Sequence, residues 1–117
     1  MSALDVSKWA DSVGASVDEA SRAVKIAVFS AVIDDTRVKT GRLKGNWQTT
    51  TGSPAKGVLD REDKEGVKAI AEVEAGVTSG IDYLTNNLPY AEEFEEKDGM
   101  VAKNLARVDT IVRSLKK

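Results

Sequence analysis

The 117-residue sequence contains neither cysteine nor histidine. Without cysteine there is no disulfide framework and no thiolate to act as nucleophile or metal ligand. Without histidine the commonest general base and the commonest metal ligand are both missing, so most enzyme mechanisms lose a part. Long apolar runs are absent as well: none approaches the ~20 residues needed to cross a bilayer, and no membrane partner is expected. The opening Met-Ser-Ala-Leu-Asp-Val has neither the basic start nor the apolar core of a secretory leader. What is present is 41% hydrophobic and 31% charged residues, the profile of a folded, soluble chain rather than a disordered one. The length suits one domain spanning residues 1–117 with a modest core.

The net charge of −2 conceals an uneven distribution. Residues 1–59 carry eight basic and six acidic side chains, residues 60–98 four and twelve, and residues 99–117 five and one. An acidic middle between basic flanks favours head-to-tail contact between identical subunits, since unlike patches attract and like patches repel. An ordinary solvated surface accounts for the same distribution.

Helical periodicity dominates the chain. A short helix is expected over Leu4–Val13, stopped by Gly14. Ser16-Val17-Asp18-Glu19 reads as a capping box opening a helix that runs to about Asp35. Ala20, Val24, Ala27, Val28 and Ala31 form one stripe of it, and Ile26, Phe29 and Ile33 an adjoining one. A helix so apolar around its circumference must be covered on more than one side, by a sheet, other helices or a neighbouring subunit. "GVKAIAEVEAGV" fits both a strand and a helix. Its alanines and glutamates, and Ile70 in particular, favour the helix. Strands are expected at Asn46–Gly52, near Gly57–Leu59 and at Ile81–Thr85. Val101, Leu105, Val108, Val112 and Leu115 define a final amphipathic helix, with Arg113, Lys116 and Lys117 near its C-terminal dipole. The expected fold class is α+β, with a long N-terminal helix and a C-terminal amphipathic helix packed on a small antiparallel sheet.

Three stretches invite a chemical reading. "RVKTGRLKGNWQTTTGSP" is basic and punctuated by glycine, but it lacks the spacing of a phosphate-binding P-loop. Arg37, Lys39, Arg42 and Lys44 could contact phosphates; a structural joint explains them better. In that joint Thr40 caps a turn, Gly41 supplies backbone freedom, and Leu43 and Trp47 pin the turn to the core. "AEEFEEKD" offers paired carboxylates, yet they crowd one short helix and read as a solvated acidic face rather than a glycosidase or two-metal site. Asn86 and Asn87 read as turn residues. No catalytic, cofactor-binding or metal-binding constellation emerges, so the expectation is a non-enzyme without cofactor.

The stretch "TRVKTGRLKGNW" resembles the Thr-Pro-Val-Asp-Thr-Gly-Arg-Leu-Arg-x-Asn-Trp signature of a family of small proteins of long-tailed bacteriophages. That family comprises head–tail connector, neck and tail-completion proteins grouped around a minor tail component of a lambdoid phage. "GIDYLTNNLPYAEEFE" and "GMVAKNL" are similar to two further blocks of the family, in the same order and at similar spacing. Thr40, Gly41, Arg42, Leu43, Asn46, Trp47, Asn86, Asn87, Pro89, Tyr90, Ala91, Gly99 and Met100 fall on family positions. Two departures stand out. Arg37 replaces a proline, and Glu96-Lys97-Asp98 fills the place of a longer Gly-x-Ser-x-Gln-Ala-Pro loop.

The resemblance implies a structural virion protein of the head–tail neck, made in the bacterial host cytoplasm. It would assemble as a homo-oligomeric ring, six copies by analogy, around a channel through which genomic DNA passes without specific binding. Its other partners would be phage neck and tail proteins. A tail terminator capping the tail tube is the alternative within the virion, and a small nucleic-acid-binding protein the alternative from another class.

Overall fold

In the computed structural model the described residues are 17–108, together with 110 and 113. The expected Leu4–Val13 helix, Ser16 of the capping box, and Val112, Leu115, Lys116 and Lys117 lie outside them.

Helix α1 spans Val17–Asp35. Asp18 and Glu19 stand in its first turn, where carboxylates favour the positive end of the dipole. Ala20, Val24, Val28 and Val32, spaced four apart, are buried together with Ile33. Thr36 finishes the helix: its hydroxyl donates to the Val32 carbonyl at 2.8 Å, and its amide donates to the Ile33 carbonyl at 3.1 Å. Two carbonyls that helix termination would orphan are thereby satisfied.

A one-turn helix α2 (Arg42–Gly45) leads into β1 (Gln48–Thr51). After an irregular stretch come α3 (Val67–Gly76) and β2 (Asp82–Thr85), and then α4 (Ala91–Asp98) and α5 (Met100–Ala106). The two strands pair antiparallel, Gln48 opposite Thr85 and Thr51 opposite Asp82. Helix α3 packs on β1 and on α1, and α5 also packs on α1. The core formed between them contains Val32, Ile33, Trp47, Ala69, Val73, Val77 and Met100, with Phe29, Ile70 and Leu84 closing its margin. The fold class is α+β, as expected.

The chain turns from α4 into α5 at Gly99, whose φ of 63° is left-handed. Glu95 of the acidic run makes the turn work. Its carboxylate accepts from the amides of Val101 at 2.9 Å and Ala102 at 3.1 Å, capping α5 from the preceding helix.

The ambiguous Val67–Val77 segment is helical, and Ile70 packs at the core margin as a helix places it. Two expectations need correction. No strand forms near Gly57–Leu59 among the described residues: the chain bends at Gly57, whose φ of 90° is left-handed, and the segment pairs with neither strand. The buried stripe of the last helix is Met100, Asn104 and Val108, and Leu105 is 55% exposed. The stripe turns because Asn104 is satisfied inside, its amide donating to Asp35 at 2.8 Å and to the Met100 carbonyl at 2.7 Å. Helix α1 is covered on more than one side, as expected, by α3 and α5, and among the described residues it exposes no large apolar side chain. Val24, Val28, Val32 and Ile33 are all buried, and Ile26 and Phe29 pack at the core.

Candidate functional site

The basic, glycine-punctuated stretch builds a joint between α1 and β1. Thr40 opens it by accepting the Arg42 amide on its hydroxyl at 3.2 Å. Gly41 follows with φ 89°, a left-handed conformation costly to any other residue. Its carbonyl accepts from the Gly45 amide at 2.8 Å and from the Asp63 amide at 2.9 Å. A Cβ on Gly41 would lie 2.7 Å from the Lys64 nitrogen, and one on Gly45 would lie 2.5 Å from the Arg61 oxygen. The two glycines, four apart, therefore form a flat face on which the 61–64 backbone lies.

Leu43 points the opposite way. It is buried against Leu88 and Ala91, with Tyr90 and Phe94 packed alongside. Asn46 is fully buried; its amide donates to the Arg42 carbonyl at 2.8 Å, and its oxygen accepts from the Leu59 amide at 2.7 Å. Trp47 is 6% exposed, and its indole N–H donates to the Thr36 hydroxyl at 2.8 Å. Asn86 reaches across 43 positions to donate to the Leu43 carbonyl at 2.8 Å, and accepts from the Leu88 amide at 3.3 Å. Asn87 donates to the carbonyls of Ala55 at 2.9 Å and Gly57 at 3.0 Å, fastening the irregular stretch. Both asparagines thus do more than shape their own turn.

The structure brings together most of the residues singled out in the sequence. Leu43, Asn46, Trp47, Asn86, Tyr90 and Ala91 surround one joint, and Met100 shares the core with Trp47. Gly99 sits apart at the α4–α5 turn, while Thr40, Arg42 and Pro89 are exposed. Three residues of the joint escaped sequence reasoning. Arg61 donates to the carbonyls of Gly45 at 2.6 Å and Trp47 at 3.1 Å, and pairs with Glu72 at 2.5 Å. Asp63 is buried and accepts the Ala69 amide at 2.9 Å, holding the first turn of α3. Gly45 carries the one legible signal, its spacing from Gly41.

The four basic side chains of this stretch have separate fates. Arg37 grips Asp98 with two hydrogen bonds, of 2.6 and 2.5 Å, and its guanidinium lies 4.6 Å from the centre of the Phe94 ring. These bonds raise the Arg37 pKa and lower that of Asp98 below the usual carboxylate value. Lys44 is buried, with its ammonium 3.3 Å from the Asp34 carbonyl. Only Lys39 and Arg42 are exposed with their charged ends uncommitted to other described residues. Arg37, Lys39, Thr40, Leu43, Tyr90, Glu93 and Phe94 line an open pocket of about 380 Å³. Tyr90 and Phe94 meet edge to face in its wall, centroids 5.7 Å apart.

The acidic run is largely occupied in structure: Glu93 pairs with Lys97 at 3.0 Å, Glu95 caps α5 and Asp98 holds Arg37. Among the described residues no group of three or more His, Cys, Asp or Glu side chains could hold a metal ion. No described helix is long and apolar enough to cross a membrane.

A second polar cluster ties α1 to the α3–β2 turn. Burial pushes the Asp82 carboxyl upward, but donors from the Thr78 amide (2.9 Å), Lys25 (3.0 Å), Thr51 (2.9 Å) and the Thr78 hydroxyl (3.0 Å) outweigh it. The result is a pKa lowered to about 2. Lys25 also donates to the carbonyls of Thr78 and Gly80, and Arg22 to that of Val77 at 3.0 Å. Every donor is a structural group, and the cluster has the chemistry of a clamp rather than of a reaction centre.

Set against family models, curated proteins and solved structures, the chain finds no match in any of the three comparisons.

Proposed function

We propose that this chain is a structural protein of the bacteriophage head–tail neck, acting in tail completion or head–tail joining as a ring around the DNA channel. The supporting observation is the convergence of the stretches that carry the resemblance. Thr40–Trp47, Asn86–Ala91 and Met100 lie far apart in sequence, yet their buried members interlock through Leu43, Asn86 and the Trp47–Met100 core. A signature whose residues hold one joint is a signature of fold, and a repeated, rigid subunit is what a ring requires.

The rival nucleic-acid reading loses half its cations. Arg37 is committed to Asp98 and Lys44 is buried, which leaves two basic residues of that stretch for phosphates. A DNA titration over salt concentration tests it, since real phosphate contacts give a steep dependence. The main experiment is imaging of particles assembled without this protein. Filled heads separate from tails support the neck assignment; overlong tails would transfer it to the tail terminator. Normal, infectious particles would refute both.

A further inference from the structure

We infer that copies of this chain join head to tail, with the 58–62 segment of one copy seated in the Leu43–Tyr90–Phe94 pocket of the next. The inference rests on the ring assignment above and names the contact that would build the ring.

The segment has the form of a docking edge. Val58, Asp60 and Glu62 are exposed, whereas Leu59, Arg61 and Asp63 turn inward. The inward residues are tied down by Asn46, by the Gly45 and Trp47 carbonyls and by the Gly41 carbonyl, which together fix the segment at four points. The outward row is therefore one apolar side chain followed by two carboxylates, on a backbone that costs little to order further.

The pocket has the complementary chemistry. Leu43, Tyr90 and Phe94 provide apolar walls. Of the charged residues at its rim, Arg37 is neutralised by Asp98 and Glu93 by Lys97. Lys39 is left over, with Arg42 exposed nearby in sequence, so the rim carries surplus positive charge. Among the other large exposed apolar residues none fits as well. Val38 stands between Arg37 and Lys39, Leu105 between Lys103 and Arg107, Val67 is followed by Lys68, and the carboxylate beside Ile81 is consumed by Lys25. Val58 alone is followed by free acidic side chains, those of Asp60 and Glu62.

The two surfaces also face apart. Gly41 and Gly45 lie against 61–64, while Leu43, about 200° round the helix from Gly45, faces the pocket side. Patches on opposite sides of one element cannot meet in a two-fold pair; they give a heterologous contact, which closes into a ring when the rotation permits.

Charge reversal with rescue tests the contact, read by sedimentation of the concentrated chain and by its incorporation into particles. Lys39→Glu and Asp60→Lys should each weaken self-association about threefold to fivefold, and the double variant should recover it. Val58→Asp should reduce it more than tenfold. All three positions are exposed, so circular dichroism should show an unchanged fold. Self-association that ignores all three substitutions would overturn this contact and leave the ring assignment standing. A wild-type chain absent from particles would overturn the ring assignment. The contact would then be refuted or upheld by the charge rescue in solution alone.

Discussion

The hydrogen bond between Trp47 and Thr36 is the most informative place to perturb the joint. The indole N–H donates to the Thr36 hydroxyl at 2.8 Å, and that hydroxyl donates to the Val32 carbonyl at the end of α1, also at 2.8 Å. Both residues are buried, Trp47 at 6% exposure and Thr36 at 2%. Thr36→Val keeps the shape but orphans the indole N–H and removes a donor from the Val32 carbonyl. A buried group left unpaired costs about 1–3 kcal/mol. Trp47→Phe removes the donor and part of the ring while Thr36 keeps its bond to Val32, so its cost is mainly lost packing, about 1–2 kcal/mol. The double variant contains no indole to orphan. Its destabilisation should therefore fall short of the sum of the single effects by about 1 kcal/mol. Urea unfolding followed by far-ultraviolet circular dichroism measures all four proteins; fluorescence is less suitable because Trp9 also emits. Single effects that add to within ~0.3–0.5 kcal/mol would show that the bond does not couple α1 to the joint.

Four other outcomes are expected. Gly41→Ala combines a left-handed φ with a Cβ 2.7 Å from the Lys64 nitrogen, and should cost about 2–4 kcal/mol in the same assay; a neutral result would mean that the 61–64 backbone moves freely. Asp82 has a folded pKa of about 2, below its unfolded value, so its contribution is complete above about pH 4 and is lost as pH falls through about 2. Asp82→Asn should remove up to about 2 kcal/mol at neutral pH and flatten that part of the acid unfolding profile. Neutralising Lys39 and Arg42 together should leave any weak DNA affinity and its salt slope nearly unchanged, whereas loss of a tight complex would revive the nucleic-acid reading. Val28→Asp should unfold the chain, because Val28 is buried in it; a variant that stays folded by circular dichroism would show that α1 does not need this apolar contact.

Burial by helical period was the part of this fold that the sequence displayed openly. Ala20, Val24 and Val28 announce α1 because one apolar face must point at one core, and Ile70 decides for helix because a strand would leave it on the polar side. Polar satisfaction broke the pattern elsewhere. Asn104 enters the core in place of Leu105 because Asp35 and the Met100 carbonyl receive its amide, and no apolar count foresees a buried asparagine. Arg61 and Asp63 were hidden for the same reason: their partners are main-chain groups of Gly45, Trp47 and Ala69, whose availability depends on the finished fold.

The 57–63 stretch shows how far an alternating pattern carries. Val58 and Leu59 suggest a strand, but a strand needs a neighbour to pair with. Here Asn46 accepts the Leu59 amide and Gly41 accepts the Asp63 amide, so side chain and turn take the place of a ladder. The consequence reaches the surface. Tethering from the inner side leaves Val58, Asp60 and Glu62 exposed in a row. The same substitution of polar ties for sheet pairing that defeats the strand expectation thus leaves exposed the row on which the proposed contact rests.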